Sequence, residues 1–215
     1  MESTDARLLD VAIEHFGRKG LQGASTRAIA ADADTPMSSI TYHFGGKSGL
    51  YLAAAERISG ILGEHLQPAL DKVAEICADG IDVDAARASL HAIFNRMIEV
   101  MVSEESAAFA RFIVREQAEP TEAFDRIYAG AMGQMLGRVA AMVRVISGDT
   151  LDETEARVRA MTLVGQSLVF RVARATVLAG TGWSDVTAAE AAIIKAAVTD
   201  NLDAIFDRLE RRSST

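Results

Sequence analysis

Residues 25–47 carry two apolar-periodic runs of only seven and eight residues, and helices that short are unstable in water unless packed against something. Ser25 or Thr26 can cap the first run, residues 27–33, whose Ile29 and Ala30 turn inward. Thr35-Pro36 reads as an N-cap followed by proline in the first helical position. It opens a second run over residues 37–44, which Gly45-Gly46 ends. The turn between the runs has three or four residues, which forces the two helices onto each other. A third element lies just upstream. Leu8, Leu9, Ala12, Ile13 and Phe16 share one helical face, Ser3, Thr4 or Asp5 can cap it, and Gly20-Leu21 reads as its stop. Three helices joined in this way make a helix-turn-helix.

Longer helices follow. A fourth opens at Lys47 or Ser48 and runs to about residue 65, ahead of Pro68; further helices are expected over residues 84–102, 105–117 and 121–146. Asp152-x-x-Glu155 is a capping box opening a helix to residue 179, broken by Gly180-Thr-Gly182. Thr187-x-x-Glu190 opens a last helix to residue 211, and residues 213–215 read as a loose tail. The expected fold is all-α, with about nine helices. Residues 1–50 form a helix-turn-helix DNA-binding domain and residues 51–215 an effector-binding and dimerisation bundle.

The net charge of −8 at first argues against nucleic acid, but it is unevenly placed. Residues 1–50 hold five basic side chains (Arg7, Arg18, Lys19, Arg27, Lys47) against six acidic ones, so nearly all the excess negative charge lies in the rest of the chain. An acidic body with a near-neutral first unit suits a protein that touches phosphate through one small face. One cysteine, Cys77, forms no disulfide framework, and no Cys/His cluster has metal-ligand spacing, so neither metal nor cofactor is expected. The start has no secretory signal and no apolar run reaches the length of a membrane span, which reads as a cytoplasmic protein. An all-helical enzyme would need an activated nucleophile, a carboxylate pair or a metal cluster. The chain has no G-x-S-x-G, no H-E-x-x-H and no glycine-rich phosphate loop.

Within residues 37–44, Ile40 and Phe44 sit four apart and anchor one side, leaving Ser38, Ser39, Thr41, Tyr42 and His43 on or near the outer side. Such short or aromatic hydrogen-bonding groups suit base edges and phosphates. Lys47 falls at a helix start, where free N–H groups attract an anion. Thr26-Arg-Ala-Ile-Ala30 followed by Ile40-Thr-Tyr-His-Phe-Gly-Gly-Lys47 resembles the TetR family signature. That resemblance implies that Thr26 and its neighbours Ser25 and Arg27 touch phosphate and that Met37, Ser38, Ser39 and Thr41 face base edges. It also implies that Tyr42 and His43 reach the backbone and that Lys47 neutralises phosphate. Asp34 stands where the family commonly has a turn glycine, Pro36 where Ser is common and Thr41 where Tyr is common. Phe109-Ala-Arg-Phe-Ile-Val-Arg-Glu-Gln117, Pro120-Thr-Glu-Ala-Phe124, Leu50-Tyr-Leu-Ala53 and Thr181-Gly-Trp183 resemble the CecR-like branch. The branch implies control of efflux or transport genes by drug-like or aromatic effectors.

The remaining readings are weighed against plain packing. Phe94, Met97, Met101, Phe112, Met132 and Phe170 are candidates to line an effector pocket, with Arg115 and Gln166 as polar members; an apolar stripe at helical spacing is equally the core. Arg111, Arg115 and Glu116 interrupt an apolar helix, and a charge facing inward must be paired or hold a ligand. The last two helices, one apolar on more than one face and one rich in alanine, suit a four-helix homodimer interface. The expected function is a ligand-responsive repressor binding a pseudopalindromic operator as a homodimer.

Overall fold

The computed structural model describes residues 4–78 and 80–213, so Ser3 as a cap and residues 214–215 of the expected tail lie outside the described residues. Every regular element among the described residues is helical. In chain order they are α1 (Thr4–Gly23), α2 (Thr26–Asp32), α3 (Met37–Phe44), α4 (Lys47–Ile76), α5 (Val83–Val102), α6 (Ser106–Ala118) and α7 (Glu122–Ile127). A π-helical turn (Tyr128–Met132) follows, then α8 (Gly133–Ile146), α9 (Glu153–Val172), α10 (Arg174–Thr181) and α11 (Ala188–Ser213). No single helix among them is long and apolar enough to cross a membrane.

Four boundaries differ from expectation. Pro36 (φ −59°, ψ 138°) is itself the N-cap of α3, without a side-chain capping bond, and Thr35 is not. α4 does not stop before Pro68 but carries it inside. Proline costs a helical hydrogen bond there. Arg96 Nε donates to the His65 carbonyl at 2.6 Å one turn earlier, and Leu66, Ala69 and Val73 are buried on both sides of the proline. The helix expected over residues 121–146 is broken at Gly130 (φ −86°, ψ −135°). A Cβ at that position would lie 1.8 Å from Ser59 Oγ, so close approach to α4 sets the break. The helix expected over residues 152–179 bends by 79° at Ala173, giving α9 and α10. Two expected helices have thus each become two.

The chain forms two compact units. Unit 1 comprises the residues up to Gly63 together with Glu105–Met132; unit 2 comprises Glu64–Glu104 and Gly133–Thr215. Unit 1 draws on two separate stretches of chain because α6 packs along α1. In unit 1, α1 buries Leu8, Ile13 and Phe16. Gly17 lets α6 approach closely, since a Cβ there would meet the Ala108 carbonyl at 3.0 Å. In unit 2, α5, α8, α9 and α11 enclose one core that includes Leu90, Ile93, Phe94, Val139, Val143, Leu163, Leu202 and Phe206. Trp183 and Phe170 pack against that core half-buried.

Candidate nucleic-acid interface

The α2–turn–α3 segment is built from local bonds. Ser25 caps α2, its hydroxyl accepting from Ala28 N at 3.4 Å, and Ile29 and Ala30 are buried beneath it. The turn then needs one left-handed residue, and Asp34 supplies it at φ 53°, where glycine has the lower backbone cost. Thr35 N–H bonds back to the Ala30 carbonyl at 2.9 Å. α3 ends on Gly45, also left-handed (φ 69°), whose N–H donates to Thr41 O, while Gly46 N–H donates to Ile40 O.

This construction turns one side of α3 out. Ile40 is buried and Phe44 half-buried. Met37, Ser38, Thr41, Tyr42 and His43 are exposed, Tyr42 at 86%, and Ser39 is half-buried. Tyr42 and His43 rings meet edge to face at 5.0 Å. On α2, Arg27 is exposed and Thr26 half-buried. Lys47, the first residue of α4, donates from Nζ to the Gln22 carbonyl at the end of α1 (2.8 Å), which uses one of three ammonium donors and holds the charge next to this surface. Nearby, Arg18 pairs with Glu14 at 2.5 Å and His15 Nε2 bonds Asp32 at 2.7 Å.

The candidate effector residues fall into separate packed regions. Phe94 and Met97 lie inside the unit 2 core, Phe170 packs against it, and Met101 is buried on the same helix as the first two. Gln166 accepts from Asn201 Nδ2 at 3.1 Å, joining α9 to α11. Phe112 is fully buried in unit 1, stacked on Tyr51 with ring centroids 4.6 Å apart. Arg115 lies against left-handed Gly20 and donates to the Arg18 carbonyl at 3.3 Å. Met132 ends the π turn, half-buried. Of the charges interrupting α6, Arg111 pairs with Glu14 at 2.6 Å, whereas Glu116 points inward.

Glu116 anchors a polar cluster that sequence reasoning flagged only in part. Tyr51 Oη donates to Glu116 Oε1 at 2.5 Å. Oε2 accepts from Thr121 N (3.0 Å), Thr121 Oγ1 (2.8 Å) and Phe124 N (3.1 Å). Burial first, and the bond to Glu116 second, push the Tyr51 hydroxyl well above its ordinary pKa near 10. The inward charge on α6 was the available signal; nothing local in the sequence pointed to its partners.

A short helix with a polar outer row, held on a companion helix by a tight turn, defines a helix-turn-helix DNA-binding regulator. The family comparisons agree. Residues 8–54 match the bacterial regulatory proteins of the tetR family, and residues 86–208 match the C-terminal domain of the HTH-type transcriptional dual regulator CecR. The chain belongs to the TetR family of transcriptional regulators, in its CecR-like branch. It is 29% identical over 213 residues to the HTH-type transcriptional dual regulator CecR of Shigella flexneri, covering 99% of this chain and 95% of that one. Over 48 residues, 22% of the chain and 23% of the relative, it is 42% identical to the probable HTH-type transcriptional regulator YttP of Bacillus subtilis. Its fold is similar to that of AibR solved in complex with isovaleryl coenzyme A and operator DNA (TM-score 0.67, 16% identity, 92% and 96% of the two chains). It is also similar to a TetR-like transcriptional regulator from Rhodococcus (TM-score 0.61, 18% identity, 93% and 96%). The family's members are regulators and not enzymes.

Proposed function

We propose that this chain works in the cytoplasm as a homodimeric repressor that binds a pseudopalindromic operator and responds to a small apolar or aromatic effector, controlling transport or efflux genes. The observation that carries the reading is the outward row on α3, where Met37, Ser38, Thr41, Tyr42 and His43 are exposed around the buried anchor Ile40. In this reading residues 1–50 hold the DNA contacts. Met37, Ser38, Ser39 and Thr41 meet base edges; Tyr42 and His43 meet the backbone; Ser25, Thr26, Arg27 and Lys47 meet phosphates. Residues 51–215 hold the effector and dimer surfaces.

The dimer surface is supported by an apolar face in unit 2. Along α9, Val158, Met161, Leu168, Val169 and Val172 are between 39% and 59% exposed at helical spacing. On neighbouring α11, Ile193 (59% exposed) sits among exposed Ala189, Ala192, Ala196 and Ala197. A contiguous apolar face of this kind marks an interaction site, and small residues let helices approach closely in a two-fold bundle. Effector sensing is supported by AibR, a protein of the same fold solved with isovaleryl coenzyme A. The candidates to contact an effector are Phe94, Met97, Met101, Phe112, Arg115, Met132, Gln166 and Phe170. Ser167 joins them, because its buried Oγ has no hydrogen-bond partner among the described residues.

Selection of bound sequences from random duplex DNA tests the reading. Enrichment of an inverted repeat, with half-sites about one helical turn (roughly 34 Å) or more apart, is expected; no enrichment sinks it. On the enriched duplex, Lys47→Ala should lower the slope of log affinity against log salt by about 0.9. Val172→Asp should yield a monomer in sedimentation and lose operator binding, since one arm alone binds weakly. The Shigella flexneri relative is called a dual regulator, so a reporter assay must read activation as well as repression.

A further inference from the structure

Helix α4 starts right after the glycine pair that ends α3, and the corner is tight. Leu50 N–H bonds the Gly46 carbonyl at 3.0 Å, and a Cβ on Gly49 would lie 1.7 Å from the Phe44 carbonyl oxygen. A rotation of α4's first turns must therefore carry the end of α3 with it. One turn beyond Lys47, the Tyr51 ring is held edge-on by Phe16 (4.8 Å) and stacked by Phe112 (4.6 Å), and its hydroxyl reaches Glu116.

We propose that Glu116 is a positioning residue for DNA reading, fixing the first turns of α4, and through them the α3–α4 corner, against α6 and the start of α7. The proposal rests on the reading of α3 as the helix that meets base edges. Both carboxylate oxygens are committed, one to Tyr51 and the other to Thr121 and Phe124 at the N-terminus of α7. The side chain is 2% exposed. A buried carboxylate costs more than an apolar side chain of the same volume, and packing alone does not call for it. What it adds is direction. Aromatic stacking leaves a ring free to slide, whereas a hydroxyl bonded to an oxygen with no other freedom fixes the rotation of α4 about its own axis. Two outer ties continue along α4 in the same unit. Arg126 joins Glu56 to Glu122, and Ser59 Oγ accepts from Ala131 N at 3.3 Å.

The test uses the full-length protein, the duplex enriched from random DNA and an unselected duplex of equal length. Tyr51→Phe keeps every ring contact and removes only the hydroxyl; Glu116→Gln keeps shape but cannot accept on both sides. Tyr51→Phe is expected to lower affinity for the selected duplex at least tenfold, with affinity for the unselected duplex and the helical circular dichroism unchanged within twofold. Glu116→Gln should lose at least as much selectivity. Equal losses on both duplexes would reduce Glu116 to a packing residue and overturn the proposal, as would selective affinity within twofold of wild type for Tyr51→Phe. A wild-type chain that enriches no sequence overturns the DNA reading itself and the positioning role with it.

Discussion

In unit 1, elements approach closely at glycines: a Cβ at Gly17 would meet the Ala108 backbone oxygen at 3.0 Å, one at Gly49 the Phe44 backbone oxygen at 1.7 Å, and one at Gly130 the Ser59 hydroxyl at 1.8 Å. At the centre sits a charged group, Glu116, answered by hydrogen bonds. Unit 2 is put together differently. Apart from buried Arg171, which donates to the Met101 and Ser103 carbonyls, its core is apolar; a Cβ at Gly137 or Gly165 would meet nothing within 4 Å, and the remaining charge gathers towards the surface. There Arg87 meets Glu210, Asp207 and Asp203 at 2.6, 2.9 and 3.0 Å while covering the Phe206 ring. The bond to Glu210 does most to hold the Arg87 guanidinium even more firmly protonated than usual, against the opposing effect of burial. Apolar area is tolerant of small shifts, whereas close approaches and directed bonds are not. The unit that carries the proposed reading helix is the one specified by position.

The largest effect that tests this contrast is Phe206→Ala, expected to cost unit 2 about 3–5 kcal/mol. Trp183, the chain's single tryptophan, packs against that core, so its fluorescence reports the loss in a urea titration. A cost under about 1 kcal/mol would break the idea that buried area carries this unit. Next, the same substitution at two glycines should have opposite signs. Gly49→Ala should destabilise by about 2–3 kcal/mol through the Phe44 clash, and Gly137→Ala, in an open stretch of α8, should stabilise by about 0.5–1 kcal/mol. Matching signs would erase the distinction.

The pH limits should also separate the units. Tyr51 has a raised pKa when folded, so its contribution is fully present below about pH 10 and fades as pH climbs towards the folded value. Tyr51→Phe should flatten alkaline unfolding, followed by tyrosine ultraviolet difference absorbance; an unchanged alkaline midpoint would count against the tie. In unit 2 burial pulls Asp203 upward, but bonds from Arg87 and His91 outweigh it and leave the carboxyl below its ordinary value. Its contribution is present above about pH 4 and lost as pH falls further. The side chain is 45% exposed, so that acid effect is small. Smallest of all, Asp34→Gly relieves a left-handed aspartate and should stabilise unit 1 by roughly 0.5 kcal/mol in thermal unfolding.

What the sequence disclosed is what forms locally, in both units. Ser25, Asp152 with Glu155, and Thr187 with Glu190 act within three residues of themselves: Ser25 is the cap of α2, the Asp152–Glu155 box is complete, and at Thr187 the Glu190 half of the box forms while the Thr187 hydroxyl accepts from Ala189 N. The exposed row on α3 was legible because Ile40 and Phe44 fix the inward side by spacing alone. Pro68 misled because the helix is held through it by packing, with Leu66, Ala69 and Val73 buried on either side and Arg96, distant along the chain, bonding the His65 carbonyl. Gly130 gave no sign of the break because Ser59 imposes it. Glu116 stood out as a charge in an apolar helix, yet Tyr51 lies 65 residues upstream and no periodicity links them. Gln166 stood out likewise, and its partner Asn201 is a surface neighbour on α11.

Unit 1 is discontinuous, and this has a consequence for how the chain is made. Synthesis delivers the residues up to Gly63, then Glu64–Glu104 of the other unit, and only afterwards the α6–α7 segment. Until then the face of α1 around Gly17 has no α6 to pack on, and Tyr51 has neither Phe112 nor Glu116. The nascent chain thus carries a complete α3 well before it carries the residues proposed to fix the α3–α4 corner. A ribosome-bound fragment ending at residue 63 should be readily cleaved by protease, and protection should come only once residue 124 has left the exit tunnel.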